Sequence, residues 1–315
     1  MKVSIVIPTR NRTTSLRRLL LSILEQIVLP SEVIVIDDSD DMKTKILVEQ
    51  LYGYFLEKGI ELKHIIPDGN ARSISRARNL GAKEATGDIV IFLDDDVVID
   101  QKYVQEILEL FKARANAIGV QGIIVNTYYS HFWNSVKKIF LYWHVEKDAC
   151  RVLPSGKTTF CCSTNYVIPC EWLFGLNVAY KKEVFKEFSF NEKLIGYSLG
   201  EDKEFSYNIH KKYPMHLFLT PLARAYHYPP QSKNISKQRI YITTAYPIGF
   251  FYNNIEQTLK NKIIFLWSEI GRIFLNIIWA LPNSTKIKYI IASYFETIRH
   301  ISDIKNENYS FIFEV

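Results

Sequence analysis

Three adjacent aspartates, Asp94, Asp95 and Asp96, follow an apolar run that begins after Gly87 and is rich in β-branched and aromatic residues. Such a run is typical of a buried parallel strand, whose C-terminal end lies at the edge where open α/β sheets bind ligands. Three neighbouring carboxylates repel one another unless a cation or hydrogen-bond donors lie among them. We therefore expect a divalent cation at this edge, with a solvated acidic loop as the alternative.

A second acidic group follows another predicted strand. The run 32–36 ends at Asp37 and Asp38, so carboxylates again stand at the C-terminal end of a strand. The alternative is that either aspartate caps a helix beginning near Asp41. If both groups belong to one parallel sheet, they lie on the same edge of it.

The elements that would position these carboxylates alternate regularly. Hydrophobic periodicity predicts strands at 3–7, 32–36, 61–66, 88–93 and 117–125, and helices at 15–24, 43–58, 75–85 and 101–113. Thr13 or Thr14 can cap the first helix. Strands that alternate with helices at this interval predict an α/β fold with a doubly wound parallel sheet.

Composition narrows the class of protein. The chain has 315 residues, of which 48% are hydrophobic and 23% charged, enough for one large domain with an appendage or for two domains. Its net charge of +6 is not concentrated in a patch or motif typical of duplex binding, so we expect no nucleic acid partner. Residues 1–8 enter a strand directly, without a signal-peptide pattern, and this predicts a cytoplasmic protein.

No glycine-rich phosphate loop follows the first predicted strand. A bound phosphate would therefore be neutralised by a cation and by basic side chains such as Arg10, Arg12 and Arg78. Hard oxygen ligands of the kind found here favour magnesium or manganese over zinc.

The middle of the chain is less regular. Residues 151–160 predict a hairpin around Ser155 and Gly156, in an aromatic and basic segment that we interpret as a lid or acceptor-side insertion. Four cysteines lie in this segment, and a vicinal pair among them does not supply the usual zinc spacing. We expect them to be reduced and mostly packed; they are Cys150, Cys161, Cys162 and Cys170.

Five short motifs, in this order, resemble those of the family 2 glycosyltransferases. They are VSIVIPTRNR (3–12), VIDDS (35–39), ARNLG (77–81), FLDDD (92–96) and GED (200–202). The resemblance covers roughly the first 230 residues and implies a GT-A type fold, a doubly wound, mostly parallel sheet, here with a C-terminal helical appendage. We expect a nucleotide-sugar-binding half at 1–125, an acceptor-binding and catalytic-base half at 126–230, and a helical region at 231–315.

The resemblance also implies an activity and a set of binding residues. The activity is inverting, metal-dependent transfer from a nucleoside diphosphate sugar, with UDP-sugars preferred, to a hydroxyl of a glycan or lipid-linked glycan. Within the donor site, Asp38 would contact the base edge, Asp94 the ribose, and Arg78 the diphosphate side. The full set implied to bind the nucleotide sugar is Pro8, Thr9, Arg10, Asp38, Arg78, Asp94 and Asp95.

The remaining implied roles concern the cation and the acceptor. Asp96, with His227 as a second ligand, would hold Mn²⁺ or Mg²⁺. Asp202 matches the catalytic base, and Glu201 is its neighbour on the acceptor side. Trp172, also assigned to the acceptor side, is a candidate platform for a sugar. The alternatives are a helix-dipole partner for Asp202, an ordinary surface histidine for His227 and a core residue for Trp172.

Two other classes of function remain open. A nucleotidyltransferase would also use carboxylates and a metal ion, and a nucleotide-binding module would bind the same ligand without chemistry. The first would be expected to have a glycine-rich phosphate loop, and the second has no use for the motif at 200–202.

The C-terminal segment 260–281 is strongly apolar but places Glu269, Arg272 and Asn276 along one helical face. Each central charge would cost about 2.5–3.5 kcal/mol in a membrane-spanning helix, so we expect none here. Residues 287–301 predict a second amphipathic helix. The pair can pack on the catalytic domain or on another subunit, or can lie as a peripheral anchor on the cytosolic face of a membrane.

Overall fold

The computed structural model describes residues 1–68, 72–229 and 236–314. The domain boundary expected between residues 230 and 231 therefore lies outside the described residues. The first part of the chain contains β1 (Val3–Thr9), α1 (Thr13–Leu24), β2 (Glu32–Asp37), α2 (Lys43–Glu57), β3 (Glu61–Ile65), α3 (Ile74–Glu84), β4 (Ile89–Leu93), β5 (Val97–Ile99), α4 (Tyr103–Ala113) and β6 (Gly119–Ile124).

The second part begins with an irregular region and ends in helices. It contains α5 (His131–Ile139), β7 (His144–Val145), β8 (Thr159–Phe160), β9 (Ile168–Pro169), β10 (Asn177–Lys181), α6 (Glu201–Lys212), β11 (Leu217–His227), α7 (Lys237–Asn254), α8 (Leu259–Ala280), α9 (Ser284–Arg299) and α10 (Ile301–Lys305). Two short 3₁₀ helices lie at Lys182–Lys186 and Ser310–Phe313.

The central sheet is doubly wound and mostly parallel, as the sequence predicts. In the described residues its order is β3-β2-β1-β4-β10-β6-β11-β5, and β9 pairs with β11. Every residue of β1, β2 and β4 is buried, because helices cover both faces of the sheet. The C-terminal ends of these three parallel strands meet at one edge.

One central strand departs from the predicted parallel arrangement. Strand β10 is antiparallel to both of its neighbours, β4 and β6. The chain leaves β6 at the ligand edge of the sheet, and the irregular region returns it to the same edge. A strand that starts from there must run in the opposite direction and needs no crossover.

Helix α3 approaches β1 closely because of a glycine in the motif 77–81. A Cβ atom on Gly81 would lie 2.2 Å from Cγ1 of Val6, well inside van der Waals contact. The glycine therefore sets the distance between this helix and the strand that ends at the candidate site.

Two helix starts differ from the expected caps. Helix α1 begins at Thr13 with Arg12 at the N-cap, and no side chain caps it, so neither Thr13 nor Thr14 is the cap. Helix α2 begins at Lys43 with Met42 at the N-cap. Asp37 and Asp38 therefore do not cap it, and the alternative that these aspartates serve as helix caps is ruled out.

The predicted hairpin is present, with Val152 bridged antiparallel to Thr158 around the turn at Gly156. The four cysteines have free thiols, and all except Cys162 are buried. Cys150 and Cys170 face each other as bridge partners in a parallel pair, within the apolar layer beneath the hairpin.

The C-terminal helices pack on one another through a separate apolar cluster that includes Phe251 stacked against Phe265, and Leu194 and Tyr207 join it from the preceding part of the chain. Helix α8 is the one described helix long and apolar enough to cross a membrane by length and composition, and 39% of its most apolar window is buried. Core helices of soluble proteins meet the same criteria.

Helix α8 turns the two charged residues of its central part inward. Glu269 and Arg272 are 7% and 2% exposed, whereas the apolar side chains on the opposite face reach solvent. We call this exposed row the outward stripe; it comprises Leu259, Ile263, Leu266, Ile270 and Phe274, each at least half exposed. This is the reverse of the usual distribution for a helix on a protein surface.

Candidate functional site

A cavity of about 1090 Å³ opens at the edge where β1, β2 and β4 end. Its other walls are the start of α6, the end of β11, the hairpin and the C-terminal helices α7 and α8. Every residue predicted from the sequence as a site residue lines it: Pro8, Thr9, Arg10, Asp38, Arg78, Asp94, Asp95, Asp96, Trp172, Glu201, Asp202 and His227.

Asp95 is held from two sides and is almost fully buried. Thr9 Oγ1 donates to its Oδ2 at 2.7 Å, and Arg12 Nη1 donates to its Oδ1 at 3.0 Å. Burial raises the pKa of Asp95 to about 6, against the effect of these two partners. Asp95 therefore ties β1 to the acidic turn after β4.

Asp96 presents one carboxylate oxygen without a hydrogen-bond partner among the described residues. Its Oδ2 accepts from Arg12 Nη1 at 3.0 Å, while its Oδ1 is buried and lies 3.4 Å from His227 Nε2. A buried, unpaired carboxylate oxygen is costly unless a cation approaches it. Asp96 and His227 thus fit a divalent cation as an oxygen and nitrogen pair.

In the described part of the chain, no three His, Cys, Asp or Glu side chains group closely enough to hold a cation by themselves. Magnesium and manganese commonly take one or two protein ligands, with the rest of the shell from substrate phosphates and water. The pair is therefore consistent with a cation that arrives together with a diphosphate.

Arg78 lies buried at the centre of the site and joins three segments. Its guanidinium forms an ion pair with Glu201 at the start of α6, donates to Asp94 Oδ1 at 2.8 Å, and donates to the carbonyl of Gly175 before β10 at 3.0 Å. Burial and the nearby charge of Asp202 raise the pKa of Glu201 to about 8. Nη1 and Nη2 are directed at these three groups, whereas the buried Nε has no partner among the described residues.

Asp202 stands at the beginning of α6, one residue after Glu201. Its Oδ2 accepts from the backbone N–H of Gly175 at 2.8 Å, and its Oδ1 accepts from the N–H of Lys203 at 2.7 Å. These two bonds fix the carboxylate at the cavity wall, and they leave lone pairs on both oxygens for a ligand hydroxyl.

The residues expected at the base end of the donor lie around Asp38. Its backbone N–H donates to the carbonyl of Thr9 at 3.0 Å, and its side chain is partly exposed. Arg72 Nε is 3.9 Å from Asp38 Oδ1, and Arg10 pairs with Asp40 at 3.4 Å. This end of the cavity is open and combines carboxylates with two exposed guanidinium groups.

Trp172 is largely a core residue. It is 4% exposed, and its indole N–H donates to the carbonyl of Thr159 at 2.9 Å. Trp143, which lines the same cavity, is more exposed, at 38%.

Several cavity residues were not predicted as site residues from the sequence. Arg12 was noted only as a basic side chain, and Lys203 could have been suspected because it follows Asp202 directly. The others reach the cavity through tertiary packing that no local pattern indicates; they include Arg72, Trp143, Lys157, Phe250 and Arg272.

Residues 4–174, more than half of the chain, match the family profile described as "Glycosyl transferase family 2". Among characterised relatives, the validoxylamine A glucosyltransferase of Streptomyces hygroscopicus subsp. limoneus is 27% identical over 221 residues, covering 66% of this chain and 48% of that protein. The chain spans about half the length, or less, of most of the relatives that it matches.

Solved structures share the fold over nearly the whole chain. S. aureus TarS 1-349 in complex with UDP-GlcNAc has a TM-score of 0.60 at 16% identity, covering 98% of this chain and 88% of that chain. The mannosyltransferase PcManGT from Pyrobaculum calidifontis, in complex with GDP-Man and Mn²⁺, has a TM-score of 0.58 at 15% identity, covering 94% and 87%. The expected GT-A type fold is therefore confirmed.

Replacing Arg78 tests whether it holds the site together. Arg78→Met keeps much of the side-chain volume but leaves Asp94 and the Gly175 carbonyl without their donor. We expect the free energy of unfolding to fall by about 3 kcal/mol or more, as when one partner of a buried ion pair is removed. Urea unfolding followed by circular dichroism measures the change.

Arg76→Met provides the matched control, because Arg76 lies on the same helix and bonds only to the exposed carbonyl of Asp68 among the described residues. Its effect is expected to stay within about 0.5 kcal/mol. Equal losses in the two variants would contradict the central role of Arg78.

Proposed function

Because the chain belongs to glycosyl transferase family 2, we propose that it transfers a sugar from a nucleoside diphosphate sugar to a hydroxyl of a glycan or lipid-linked glycan, with inversion at the anomeric carbon. UDP-sugars are the preferred donors. The observation that supports this most is the placement of Asp202 and of the Asp96 and His227 pair around one cavity. A base and a site for a diphosphate-bound cation are the two groups that the reaction requires.

Asp202 is the proposed general base. It takes the proton of the acceptor hydroxyl while that oxygen attacks the anomeric carbon, and the bond from the anomeric carbon to the diphosphate oxygen breaks on the opposite face. No covalent intermediate with the protein is needed, so the site requires no activated serine or cysteine. Lone pairs on the fixed carboxylate of Asp202 can accept this proton.

Asp96 and His227 are the proposed ligands for Mn²⁺ or Mg²⁺. The bound ion would act as a Lewis acid and neutralise the charge that develops on the leaving diphosphate. Arg12 holds the other oxygen of Asp96 and so directs Oδ1 toward His227. Asp38 and the exposed end of the cavity would receive the base of the nucleotide.

The reaction products distinguish this proposal from its alternatives. After incubation with sugar nucleotides and manganese, free nucleoside diphosphate is expected. Pyrophosphate would instead identify a nucleotidyltransferase, and no turnover with a broad set of donors would favour a binding module. The same screen identifies the donor.

Replacing the proposed base should separate chemistry from binding. Asp202→Asn is expected to lower turnover by a factor of about 10²–10⁴, as for a lost general base, while nucleotide affinity stays unchanged. Steady-state kinetics and nucleotide titration measure the two effects. Asp303→Asn, on α10 and outside the cavity, is the control and should change neither. Comparable losses of turnover and affinity in Asp202→Asn would make Asp202 a binding or structural residue.

Replacing the proposed cation ligand should remove metal dependence. Asp96→Asn is expected to abolish Mn²⁺-stimulated transfer and to weaken Mn²⁺ binding to the nucleotide-bound protein, as measured by electron paramagnetic resonance. Thermal unfolding of the metal-free protein should barely change, because an amide oxygen at this position can still accept from Arg12 Nη1 and the buried, unpaired carboxylate oxygen is removed. Near-normal turnover of the variant with manganese would show that Asp96 is not a ligand.

We further propose that the protein is cytoplasmic and contacts a membrane peripherally, on its cytosolic face, through the outward stripe of α8. The adjoining helix α9 also exposes the apolar residues Ile291, Phe295 and Ile298, and Lys260, Lys262 and Lys288 on these two helices are exposed as well. Apolar side chains beside cations suit an interface with anionic lipids. The arrangement would bring the cavity toward a lipid-linked acceptor.

Flotation with anionic liposomes tests this contact. The full chain should float at low salt, and the combined change Leu266→Ser, Ile270→Ser and Phe274→Ser should abolish flotation. Tyr52→Ser with Leu56→Ser, which removes exposed apolar residues from α2, is the control. A full chain that stays with the soluble protein at low salt would rule out the membrane contact, and self-association reduced by the triple change would identify a subunit interface instead.

A further inference from the structure

Two lysines lie in the cavity wall on the hairpin side of Asp202. Lys203 directly follows Asp202 on α6; its Nζ donates to the carbonyl of Gly156 at 3.0 Å and lies 3.5 Å from the centre of the Phe250 ring. Lys157, the next residue of the hairpin after Gly156, is 5% exposed. The first turn of the helix that bears the proposed base is therefore joined to the hairpin by an ammonium group.

Behind Lys203, positive charge exceeds negative charge. Lys157 Nζ forms an ion pair with Glu269 Oε1 at 2.7 Å, and the same carboxylate accepts from Arg272 Nε at 2.8 Å. One buried carboxylate thus serves two buried cations, and Arg272 directs another donor to the carbonyl of Thr243 at 2.6 Å. Buried cations without matching counter-charges are costly, which makes this surplus informative.

Lys203 adds a further positive charge to this wall. Among the described residues, no carboxylate lies within ion-pair distance of its ammonium, which uses one of its three donors for Gly156. Burial and the charge of Lys157 lower the pKa of Lys203 to about 7, so part of the group is uncharged near neutral pH and a bound anion would favour its ammonium form. An anion placed against this group would supply the missing counter-charge.

The carboxylates beside Lys203 in sequence favour its charged form from a distance, but neither forms an ion pair with it. Asp202 accepts from two backbone N–H groups, and Glu204 accepts from Asn191 Nδ2 at 3.3 Å, near Glu307. The cavity wall therefore has an acidic flank around Glu204 and a basic flank along the hairpin, with Asp202 between them.

We propose that Lys203, backed by Lys157, binds an anionic group carried by the acceptor, a phosphate or a carboxylate close to the hydroxyl that Asp202 deprotonates. The inference rests on the proposed function of Asp202 and names the class of acceptor. The proposed base Asp202 must contact the acceptor hydroxyl. Because Lys203 directly follows Asp202, we assign the basic flank to the acceptor. A neutral glycan would leave this flank without a counter-charge.

Small probes of matched size test this on the full chain loaded with UDP and Mn²⁺. Glycerol 1-phosphate and glycerate supply the two anionic groups, and glycerol is the neutral reference; ligand-observed NMR measures each dissociation constant. The anionic probe that matches the acceptor is expected to bind at least about tenfold more tightly than glycerol, and the better of the two identifies the group.

Lys203→Gln should remove that preference, bringing the anionic probe to the affinity of glycerol. Lys211→Gln, an exposed lysine on the same helix, is the matched control and should preserve it. UDP affinity should be equal in the three proteins. The proposal would be overturned if charged and neutral probes bound equally to the unmodified chain, or if Lys211→Gln lost the preference. Weaker UDP binding in Lys203→Gln would also overturn it, because Lys203 would then contact the donor.

A failure of the proposed anion site can be distinguished from a failure of the proposed glycosyl transfer. Release of nucleoside diphosphate from the donor, compared between the unmodified chain and Asp202→Asn, reports on glycosyl transfer without reference to Lys203. An enzyme that transfers sugar but shows no anion preference at Lys203 would refute the acceptor class and leave the activity in place.

Discussion

The buried guanidinium of Arg78 is the contact on which the geometry of the cavity depends. It binds Glu201, which is 123 positions away in the chain, and Asp94, which follows β4. Its third partner, the carbonyl of Gly175, precedes β10. Without this cation, carboxylates from two distant segments would face one another in a poorly solvated place, and their repulsion would open the edge of the sheet.

The site is therefore arranged as alternating layers of charge. Arg12 lies between the acidic turn and the solvent, Arg78 lies behind that turn, and the start of α6 adds further carboxylates beyond it. On the far side of α6, the hairpin and α8 contribute a layer in which cations outnumber anions. The start of α6 is joined to this basic layer through Lys203, which donates to the carbonyl of Gly156.

Much of the acidic edge could be predicted because it depends on local patterns. An apolar run that ends in aspartates specifies both the strand and the place of Asp94, Asp95 and Asp96 at its end. The direction of β10 could not be predicted, since it depends on where the preceding insertion returns. Periodicity likewise showed that α8 has two different faces, but only its tertiary contacts, such as Glu269 with Lys157, show that the charged face is buried. The predicted N-cap of α1 was wrong because Thr13 is already the first residue of the helix, whereas a capping threonine would have to precede it.

The antiparallel insertion of β10 has a consequence for synthesis on the ribosome. Strand β4 is complete at Leu93, but the partner that pairs with its free edge, and with the neighbouring edge of β6, begins at Asn177, roughly 80 residues later. At about 5–20 residues per second, the nascent chain exposes an apolar, unpaired strand edge for about 4–16 s. During that interval the emerging sheet is open to pairing with other chains, and the gap between β4 and β6 closes only when β10 has left the ribosome. Chaperone dependence during translation would then arise from the order of strands in the sheet, whatever the stability of the finished fold.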